Sequence, residues 1–383
     1  MKSGAFRLVE KKEAKLPTFC PQNHASNLLP LKSGDILCVW FSGTQEGMAD
    51  ISIYMSRLKP GETEWSLPVK LSEDPAKSEQ NPVLFMAPDG RLWLIWTSQK
   101  AGNQDTAEVR YRISEDNGYT WSSIRVLFDK PGTYVRQPGV ILDNGDWLIP
   151  IFYCKAPPGR KWVGDDDYSA VKISADQGKT WSEYVVPNST GCVHMNVEKR
   201  SDGSLIALFR SRWADWIYVS QSRDNGRTWS EPVPTTLPNN NSSIQFTRLK
   251  SGHLVLVFNN RNATAGTARR TSLYDEIKDD ESDQTPAILG QSPPGKRIAI
   301  WGTPRAPLTI AVSEDEGKSW PRMRDLETGD GYCLTNNSKE GLNRECSYPS
   351  IKQTNDGIIH VTYTYFRQYI KHVCITEDWV RGM

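Results

Sequence analysis

Residues with chemically active side chains occur at one fixed offset within a repeated stretch of the sequence. Six glycines each precede a short apolar run, and the position nine residues earlier holds, in turn, Ala25, Asn81, Arg136, His194, Ser243 and Tyr348. His24 stands beside the first of these positions. Imidazole and phenol groups transfer protons or act as nucleophiles, and guanidinium groups bind anions. If the repeats are equivalent in space, these side chains meet and predict a reaction centre.

More polar groups stand where the apolar runs end and in the loops that follow. The runs end in Tyr153, Arg210 with Arg212, and Asn259 with Arg261, and the loops contain Glu46, Asp50 and the run Asp165–Asp167. The chain has 46 Lys and Arg against 45 acidic residues, so this arginine excess is local. Guanidinium groups bind carboxylates through paired hydrogen bonds, which predicts a small anionic ligand. The expected binding residues are Arg136, Arg210, Arg212, Arg261, Tyr153 and Asn81.

Structural explanations for the same residues stay open. His24 and His194 can be hydrogen-bonded core imidazoles, Tyr348 can pack its ring between repeats, and the arginines can pair with acids. The Asp165–Asp167 run is either a solvated loop or a set of calcium ligands. Because the sequence has no Cys/His spacing typical of zinc and no glycine-rich phosphate loop, we predict no metal and no cofactor.

Four octapeptides indicate the structure that positions these residues. They are SEDNGYTW from Ser114, SADQGKTW from Ser174, SRDNGRTW from Ser222 and SEDEGKSW from Ser313. Asp and Ser/Thr side chains bond the backbone of a tight turn, Gly adopts positive φ, and Trp covers the adjoining strands. We therefore predict hairpin turns with a structural role, with weaker versions at Ser56–Trp65 and Thr376–Trp379.

The apolar runs predict strands, because each is short and rich in Ile, Val, Leu and aromatic residues. The preceding glycines are Gly34, Gly90, Gly145, Gly203, Gly252 and Gly357. Each glycine turn, with its octapeptide turn where one is present, delimits a unit of four strands. Six such units predict an all-β protein, a six-bladed β-propeller formed as one domain over residues 1–383.

Three further expectations follow from this topology. The N-terminal segment AFRLVE adds an outer strand to the last blade and closes the ring. An insertion in the fifth blade, at about residues 261–303, is either a lid or a solvated excursion. Successive turns of a blade alternate between the two faces of the disc, so the Asp-containing turns lie on one face and the candidate catalytic residues on the other.

Composition bounds the location and the partners. No run approaches the roughly 20 apolar residues of a membrane-spanning helix, and the start of the chain lacks the apolar core of a secretion signal. The seven cysteines are widely spaced and odd in number, as is typical of reduced thiols. We expect a cytoplasmic protein, or a secreted one if a leader was removed. The net charge of +1 gives no reason to expect nucleic acid or a membrane as partner, and the oligomeric state stays open.

The octapeptides resemble the Asp boxes of the sialidase (neuraminidase) superfamily, the BNR-repeat proteins, and the resemblance covers nearly the whole chain. It implies a retaining glycosidase with a Tyr nucleophile paired to a Glu, an Asp acid/base, and three arginines that hold the sugar carboxylate. By position it makes Tyr348 in ECSYPS the nucleophile, Arg210 the second arginine and Asp50 the acid. Arg261 or Arg305 would be the third arginine.

The sequence departs from this family pattern at two places. The first arginine is replaced by His24 in NHAS, and the glutamate partner of the tyrosine is replaced by His194 in CVHMNV. Non-sialidase residues therefore stand in the predicted active site.

Two mechanisms fit this set. In a sialidase-like hydrolase, Tyr348 attacks with His194 as its base, Asp50 protonates the leaving oxygen, and Arg210 binds an acidic sugar. In a lyase, arginines neutralise a uronate carboxylate, His24 or His194 removes the proton α to it, and Tyr348 protonates the leaving oxygen. The resemblance extends to propeller-type polysaccharide lyases that act on rhamnose–glucuronate linkages. A third alternative is a non-catalytic glycan-binding propeller, with Trp213 and Trp216 as stacking surfaces. In each case the expected partner is an acidic oligosaccharide or glycan.

Overall fold

Six antiparallel sheets make up nearly all regular structure in this computed structural model, which describes residues 10–264, 270, 273–274, 276–277 and 297–382. The first strand, β1 (Lys12–Lys15), precedes the first complete blade. That blade comprises β2 (Gln22–Pro30), β3 (Ile36–Gly43), β4 (Ser52–Leu58) and β5 (Val69–Lys70). The second comprises β6 (Lys77–Met86), β7 (Leu92–Lys100), β8 (Asn103–Ser114) and β9 (Arg125–Phe128).

The remaining blades follow in chain order. The third contains the split inner strand β10 (Thr133–Tyr134) and β11 (Val140–Ile141), then β12 (Trp147–Tyr153), β13 (Tyr168–Ser174) and β14 (Ser182–Val185). The fourth contains β15 (Cys192–Lys199), β16 (Leu205–Ser211), β17 (Trp216–Ser222) and β18 (Val233–Pro238). The fifth contains β19 (Gln245–Arg248), β20 (Leu254–Asn259), β21 (Leu308–Ser313) and β22 (Arg322–Glu327). The sixth contains β23 (Cys346–Gln353), β24 (Ile359–Tyr365) and β25 (Tyr369–Ile375).

The N-terminal strand closes the ring. β1 pairs with β25 in antiparallel register, from Lys12 opposite Cys374 to Lys15 opposite Lys371. The predicted closing strand was AFRLVE, which lies outside the described residues except for Glu10; the closing strand observed is KEAK, a few residues further on. β1 thus supplies the fourth, outermost strand of the sixth sheet, as the propeller prediction required.

The core lies between neighbouring blades. The second strands of the first five blades (β3, β7, β12, β16 and β20) are nearly continuously buried, because each sheet is covered on both faces by its neighbours around the ring. Trp147 of the third blade, for example, meets Trp93 of the second edge to face, with ring centroids 5.8 Å apart. Ala14 and Leu16 continue this packing at the seam between the last blade and the first.

The four octapeptides form the predicted turns. In the first, Ser114 Oγ donates to Asp116 Oδ1 (2.8 Å), and the same oxygen accepts the Thr120 N–H (2.8 Å). Asn117 and Gly118 both have positive φ, 60° and 87°, a conformation that glycine and asparagine tolerate best. The weaker version at Thr376–Trp379 is different: Thr376 caps the short helix α1 (Glu377–Arg381).

The fifth-blade insertion lies between β20 and β21. Arg270 bridges to Trp301 within it, and Leu273 and Tyr274 are buried. The polar centre DEIKDDESDQTP lies mostly outside the described residues. Within the described part, no helix has the length and apolar character to cross a membrane.

Candidate active site

The inner strands of four blades carry the same distortion, which turns side chains towards the middle of the ring. Ala25, Asn81, His194 and Tyr348 have φ of 59°, 51°, 53° and 53°. At each of them the pairing with the next strand slips, as in a β-bulge. Positive φ at residues other than glycine costs free energy, so its repetition at the predicted offset marks a functional region. The offset of nine residues before the turn glycine is therefore a structural equivalence.

Tyr348 and Arg210 form the centre of the site. Arg210 Nη1 donates to Tyr348 Oη at 2.6 Å and lies 3.4 Å from His194 Nε2, while its Nε donates to Asn241 Oδ1 at 2.7 Å. This guanidinium stabilises negative charge on the phenolic oxygen, whether that oxygen attacks a carbon or takes a proton.

Two histidines flank the tyrosine ring. The His24 ring centroid lies 4.1 Å and the His194 centroid 5.6 Å from that of Tyr348. Burial, reinforced by nearby arginines, lowers the pKa of both imidazoles well below the usual value, so both are neutral at neutral pH. His24 Nδ1 is 2.8 Å from Thr364 Oγ1, whereas His24 Nε2 and His194 Nδ1 are buried and have no hydrogen-bond partner among the described residues. Both atoms are therefore open to a hydrogen bond from a ligand or a water molecule.

The buried arginines around the tyrosine fall into two groups. Arg305, Arg367 and Arg212 each have a carboxylate: Arg305 and Arg367 contact Glu345, Arg367 also contacts Glu46, and Arg212 contacts Asp167 at 2.7 Å. Arg136 and Arg210 have none among the described residues.

Arg136 instead donates to Ser243 Oγ and to the backbone oxygens of Ser26, Tyr348 and Pro349, at 3.1–3.2 Å. Burial lowers the pKa of Arg136 to about 10 and that of Arg210 to about 9, so both remain cations at neutral pH. The site therefore holds two buried positive charges without a protein counter-ion in the described part of the chain.

A small cavity lies beside these groups. Its walls belong to the face predicted to hold the catalytic residues, and it measures about 10 Å³, room for one water molecule. It is lined by Glu46, Gln80, Asn81, Gln104, Tyr134, Phe152, His194, Arg210, Arg212, Leu273 and Tyr348. Leu273 comes from the fifth-blade insertion, so the insertion takes part in closing the cavity.

Four predicted site residues line the cavity, Tyr348, His194, Arg210 and Asn81, and two more, His24 and Arg136, contact Tyr348. Arg212 also lines the cavity, but it is held by Asp167, which is buried and not part of a solvated loop. Four predictions are not supported by the geometry.

Asp50 is exposed and accepts hydrogen bonds from the Thr44 N–H (2.8 Å) and hydroxyl (2.9 Å), so it caps its own loop. Tyr153 donates to Glu183 on the outer strand of its blade. Arg261 is half-buried beyond β20 and does not line the cavity. Trp213, predicted as a sugar-stacking surface, is covered by the Arg297 guanidinium at 3.7 Å.

The sequence analysis did not identify Glu345, Arg367 or the buried glutamines Gln80, Gln99 and Gln104 as part of the site. Glu345 is three residues before Tyr348, yet it is fully buried between two arginines. The sequence did offer one indication of this role, because Glu345 is an acidic residue directly before the strand that carries Tyr348 into the arginine-rich centre. Arg367 and the preceding Phe366 have positive φ (57° and 54°) in the turn from β24 to β25. No local residue pattern in the sequence predicts this turn conformation.

One cluster outside the site has ligand atoms suited to a metal. His360 Nδ1, His372 Nε2 and Cys374 Sγ lie 3.0–3.4 Å from one another. The Trp65 indole N–H, however, donates to His372 Nδ1 (3.2 Å), so in the neutral ring the hydrogen is on Nε2, the atom a metal would need. The cluster is best described as a hydrogen-bond chain from Trp65 through His372 and His360 to Thr354.

The fold and this cavity define a sialidase-like six-bladed β-propeller, as predicted. The chain matches the BNR repeat-like domain over residues 34–361 and belongs to that family. No curated protein matches it.

Among solved structures, the fold is similar to that of the Hadza microbial sialidase Hz136, with 17% identity, a TM-score of 0.67, and 93% of this chain and 66% of that chain covered. The fold is also similar to that of the leech intramolecular trans-sialidase, with 13% identity, a TM-score of 0.67, and 95% of this chain and 69% of that chain covered. A protein of unknown function from Dyadobacter fermentans DSM 18053 is similar too, with 15% identity, a TM-score of 0.67, and 94% of this chain and 97% of that chain covered. The chain thus spans about two thirds of the two sialidase chains, and at these identities the likeness establishes the fold alone.

Proposed function

We propose that the protein cleaves the glycosidic bond of an acidic sugar, with Tyr348 as the reacting residue and Arg210 as the main ligand of the sugar carboxylate. The observation that carries this proposal is the pair of buried arginines, Arg136 and Arg210, without a carboxylate among the described residues. A buried cation without a partner is costly, and an anionic ligand removes that cost. Tyr348 lies between the two: Arg210 contacts its hydroxyl and Arg136 its backbone oxygen.

The reaction that the site supports best is β-elimination from a uronate. Glu46 is the only carboxylate among the described residues that line the cavity, and it is bound to Arg367. A hydrolase of the usual kind needs two carboxyl groups, or a tyrosine with a glutamate and an aspartate, at the bond. Elimination needs a cation at the sugar carboxylate, a base and a proton donor, which arginine, tyrosine and histidine supply.

In this reaction the Tyr348 oxygen takes the proton α to the carboxylate and gives its own hydroxyl hydrogen to the leaving oxygen, while Arg210 stabilises the negative charge that develops on the phenolic oxygen. The electrons of that C–H bond form the new C=C bond, and the bond to the leaving oxygen breaks. Tyr348 ends the reaction with one hydroxyl hydrogen, as it began. Since Arg210 donates towards His194 Nε2, the hydrogen of His194 is on Nδ1, where it donates to the substrate. Tyr348 thus transfers both protons, whereas the lyase mechanism expected from the sequence gave the base role to His24 or His194 and only the acid role to Tyr348.

Hydrolysis is the second candidate, because the same Arg210–Tyr348 hydrogen bond activates the phenolic oxygen as a nucleophile. The two reactions differ in their product. Elimination gives an unsaturated uronate that absorbs in the ultraviolet, whereas hydrolysis gives two saturated sugars.

The test is digestion of uronate-capped oligosaccharides by the wild type, Tyr348→Phe and Tyr153→Phe. We expect ultraviolet absorbance to rise with the wild type and Tyr153→Phe, and the rate to fall at least about 100-fold with Tyr348→Phe, since a positioned proton-transfer group contributes that much. Saturated products would establish hydrolysis instead. Binding of acidic glycans without cleavage, unaffected by loss of the Tyr348 hydroxyl, would favour the glycan-binding alternative.

A further inference from the structure

Three glutamine side chains converge on one hydroxyl group beside the candidate active site. The amide nitrogens of Gln99 and Gln104 each lie 3.0 Å from Tyr274 Oη, and that of Gln80 lies 3.4 Å away. All three glutamines are buried and come from the second blade, whereas Tyr274 comes from the fifth-blade insertion. The insertion therefore reaches across the disc.

The direction of these hydrogen bonds is fixed by other contacts. Gln99 Oε1 accepts from the Tyr134 hydroxyl, and Gln104 Oε1 accepts from Cys154 Sγ at 3.2 Å. Since their carbonyl oxygens are engaged elsewhere, Gln99 and Gln104 present their NH₂ groups to Tyr274. The cluster is a set of buried amide donors that share one acceptor, the Tyr274 hydroxyl oxygen.

One phenolic oxygen accepts two hydrogen bonds at most, which agrees with the longer contact of Gln80, whose amide nitrogen also donates to Ser78 Oγ at 3.1 Å. A vicinal diol carries two oxygens a few ångströms apart, so it satisfies such a cluster better than one hydroxyl does. Asn81 Oδ1 is buried nearby and has no hydrogen-bond partner in the described part of the chain, so it can accept the hydrogen of a sugar hydroxyl.

The amide cluster adjoins the cationic centre. Gln80 and Gln104 line the same cavity as Arg210 and Tyr348. At about 10 Å³ that cavity has no room for a sugar ring, so a side chain that now fills the space must leave when substrate binds.

Tyr274 is the side chain placed to leave. Its ring lies directly against Gly47, where even a Cβ atom would come within 2.7 Å of it. The neighbouring Glu276 accepts the Asn336 N–H at 3.0 Å, and Asn336 Nδ2 donates to Leu273 O at 2.9 Å. These polar contacts hold this piece of the insertion in place together with the packing of Leu273 and Tyr274 in a buried apolar cluster with Trp162 and Trp301.

We propose that Gln80, Gln99 and Gln104 form a second subsite, which binds the hydroxyl groups of a neutral sugar joined to the acidic one, and that the Tyr274 hydroxyl occupies this subsite in the closed structure. The proposal rests on the proposed function, because it takes the cationic centre as the subsite for the acidic sugar. It makes the substrate at least a disaccharide.

Calorimetric titration tests the proposal, in a Tyr348→Phe background that prevents turnover. The probes are glucuronate, the disaccharide of glucuronate with glucose, and cellobiose as the neutral disaccharide. We expect the acidic disaccharide to bind at least about ten-fold more tightly than glucuronate, as two or three added hydrogen bonds provide. Gln99→Ala with Gln104→Ala should abolish this gain and leave glucuronate binding within about two-fold. Gln221→Ala, an exposed glutamine on β17, is the control and should change neither.

The Tyr274→Phe variant tests whether the Tyr274 hydroxyl competes with the neutral sugar for the glutamine subsite. It removes the competing hydroxyl with little change in shape, so the disaccharide should bind several-fold more tightly. Weaker binding by this variant would overturn the role of Tyr274 as occupant. If glucuronate binds but the disaccharide gains nothing, the subsite is wrong and the proposed function stands. If cellobiose binds through the glutamines and glucuronate does not, the subsite stands and the proposed function is wrong; if no probe binds, both are wrong.

Discussion

Arg210 on β16 and Arg212 in the turn that follows it are buried in opposite electrostatic settings. Arg212 is bound by Asp167 through Nε (2.9 Å) and Nη2 (2.7 Å), whereas Arg210 contacts an amide, a phenol and an imidazole. Breaking a buried ion pair leaves the partner charge uncompensated, while replacing an unpaired buried cation by an apolar residue removes a desolvation cost. Substituting each of these two arginines by the same apolar residue therefore shows whether its loss mainly lowers activity or mainly lowers stability.

We predict that Arg210→Met lowers kcat/KM on acidic glycans at least about 100-fold, as for loss of a charged group at the reacting atoms. Its free energy of unfolding should fall by only about 1 kcal/mol or less, because the desolvation relieved offsets the lost hydrogen bonds. Turnover assays and urea unfolding measure the two effects. Normal turnover by this variant would refute the site.

Arg212→Met is the control, and it should cost about 3–5 kcal/mol of unfolding free energy, since Asp167 is left buried and unpaired. Equal stability losses in the two variants would mean that Arg210 has a protein counter-charge after all, and the anionic-ligand proposal would lose its basis.

At the level of the strand, the repetition of equivalent positions explains why part of the site could be predicted from the sequence. A residue nine positions before a turn glycine has the same place in every blade, so Asn81, His194 and Tyr348 were grouped without any knowledge of contacts. The bulge that turns them inward repeats with them. Periodicity carries this information because equivalent strands impose equivalent geometry.

Residues outside the inner strands do not follow that rule. Asp50 bonds its own loop through Thr44, and Tyr153 points to Glu183 across its sheet, because loop conformation and strand orientation decide where those side chains go. Gln80, Gln99 and Gln104 look like ordinary polar strand residues until Tyr274, distant in the chain, reaches them. Such non-local partners have no signal in a single sequence.

The Asp-containing turns permit a prediction at the level of the hairpin. Asp224 accepts from the Thr228 N–H (2.8 Å) and hydroxyl (2.6 Å) and from the Ser222 hydroxyl (2.9 Å), on the face away from the cavity. Asp224→Ala leaves those turn groups without their acceptor, so Tm should fall by a few degrees while kcat/KM is unchanged. Differential scanning calorimetry beside the glycan assay measures both. A selective loss of turnover would contradict the assignment of faces.

At the scale of the whole molecule, the ring is joined where the last blade meets the first. Two buried histidines of the sixth blade lie at this seam: His372 on β25 meets Trp65 from the first blade, with ring centroids 5.2 Å apart, and His360 stacks on His372. Burial lowers the pKa of His360 from 6.5 to about 4 and that of His372 to about 3. Both imidazoles are therefore neutral in the folded protein and protonated in the unfolded chain below pH 6.5.

Because the two histidines have lower pKa values in the folded protein than in the unfolded chain, we predict that the seam between the last blade and the first loses stability in acid. A group whose folded pKa is depressed contributes stability that is fully present above its unfolded pKa and is lost as the pH falls towards the folded value, here from 6.5 to about 4. The loss over this range is on the order of 3 kcal/mol for each histidine. The aspartates of the turns titrate in a separate window: hydrogen bonds from Thr120 and Thr180 lower the pKa of Asp116 and Asp176 from 3.8 to about 2.

The measurement is Tm against pH from 7.5 to 4.5 for the wild type and for His360→Gln with His372→Gln. The double variant keeps polar side chains at the seam but has nothing to protonate, so its Tm should fall less steeply than that of the wild type between pH 6.5 and 4.5. Comparing slopes cancels the contribution of the carboxyl groups that the two proteins share. His253→Gln is the control, because His253 is partly exposed and bonds Glu377 away from the seam. Parallel curves for the double variant and the wild type would show that the seam histidines do not govern acid unfolding.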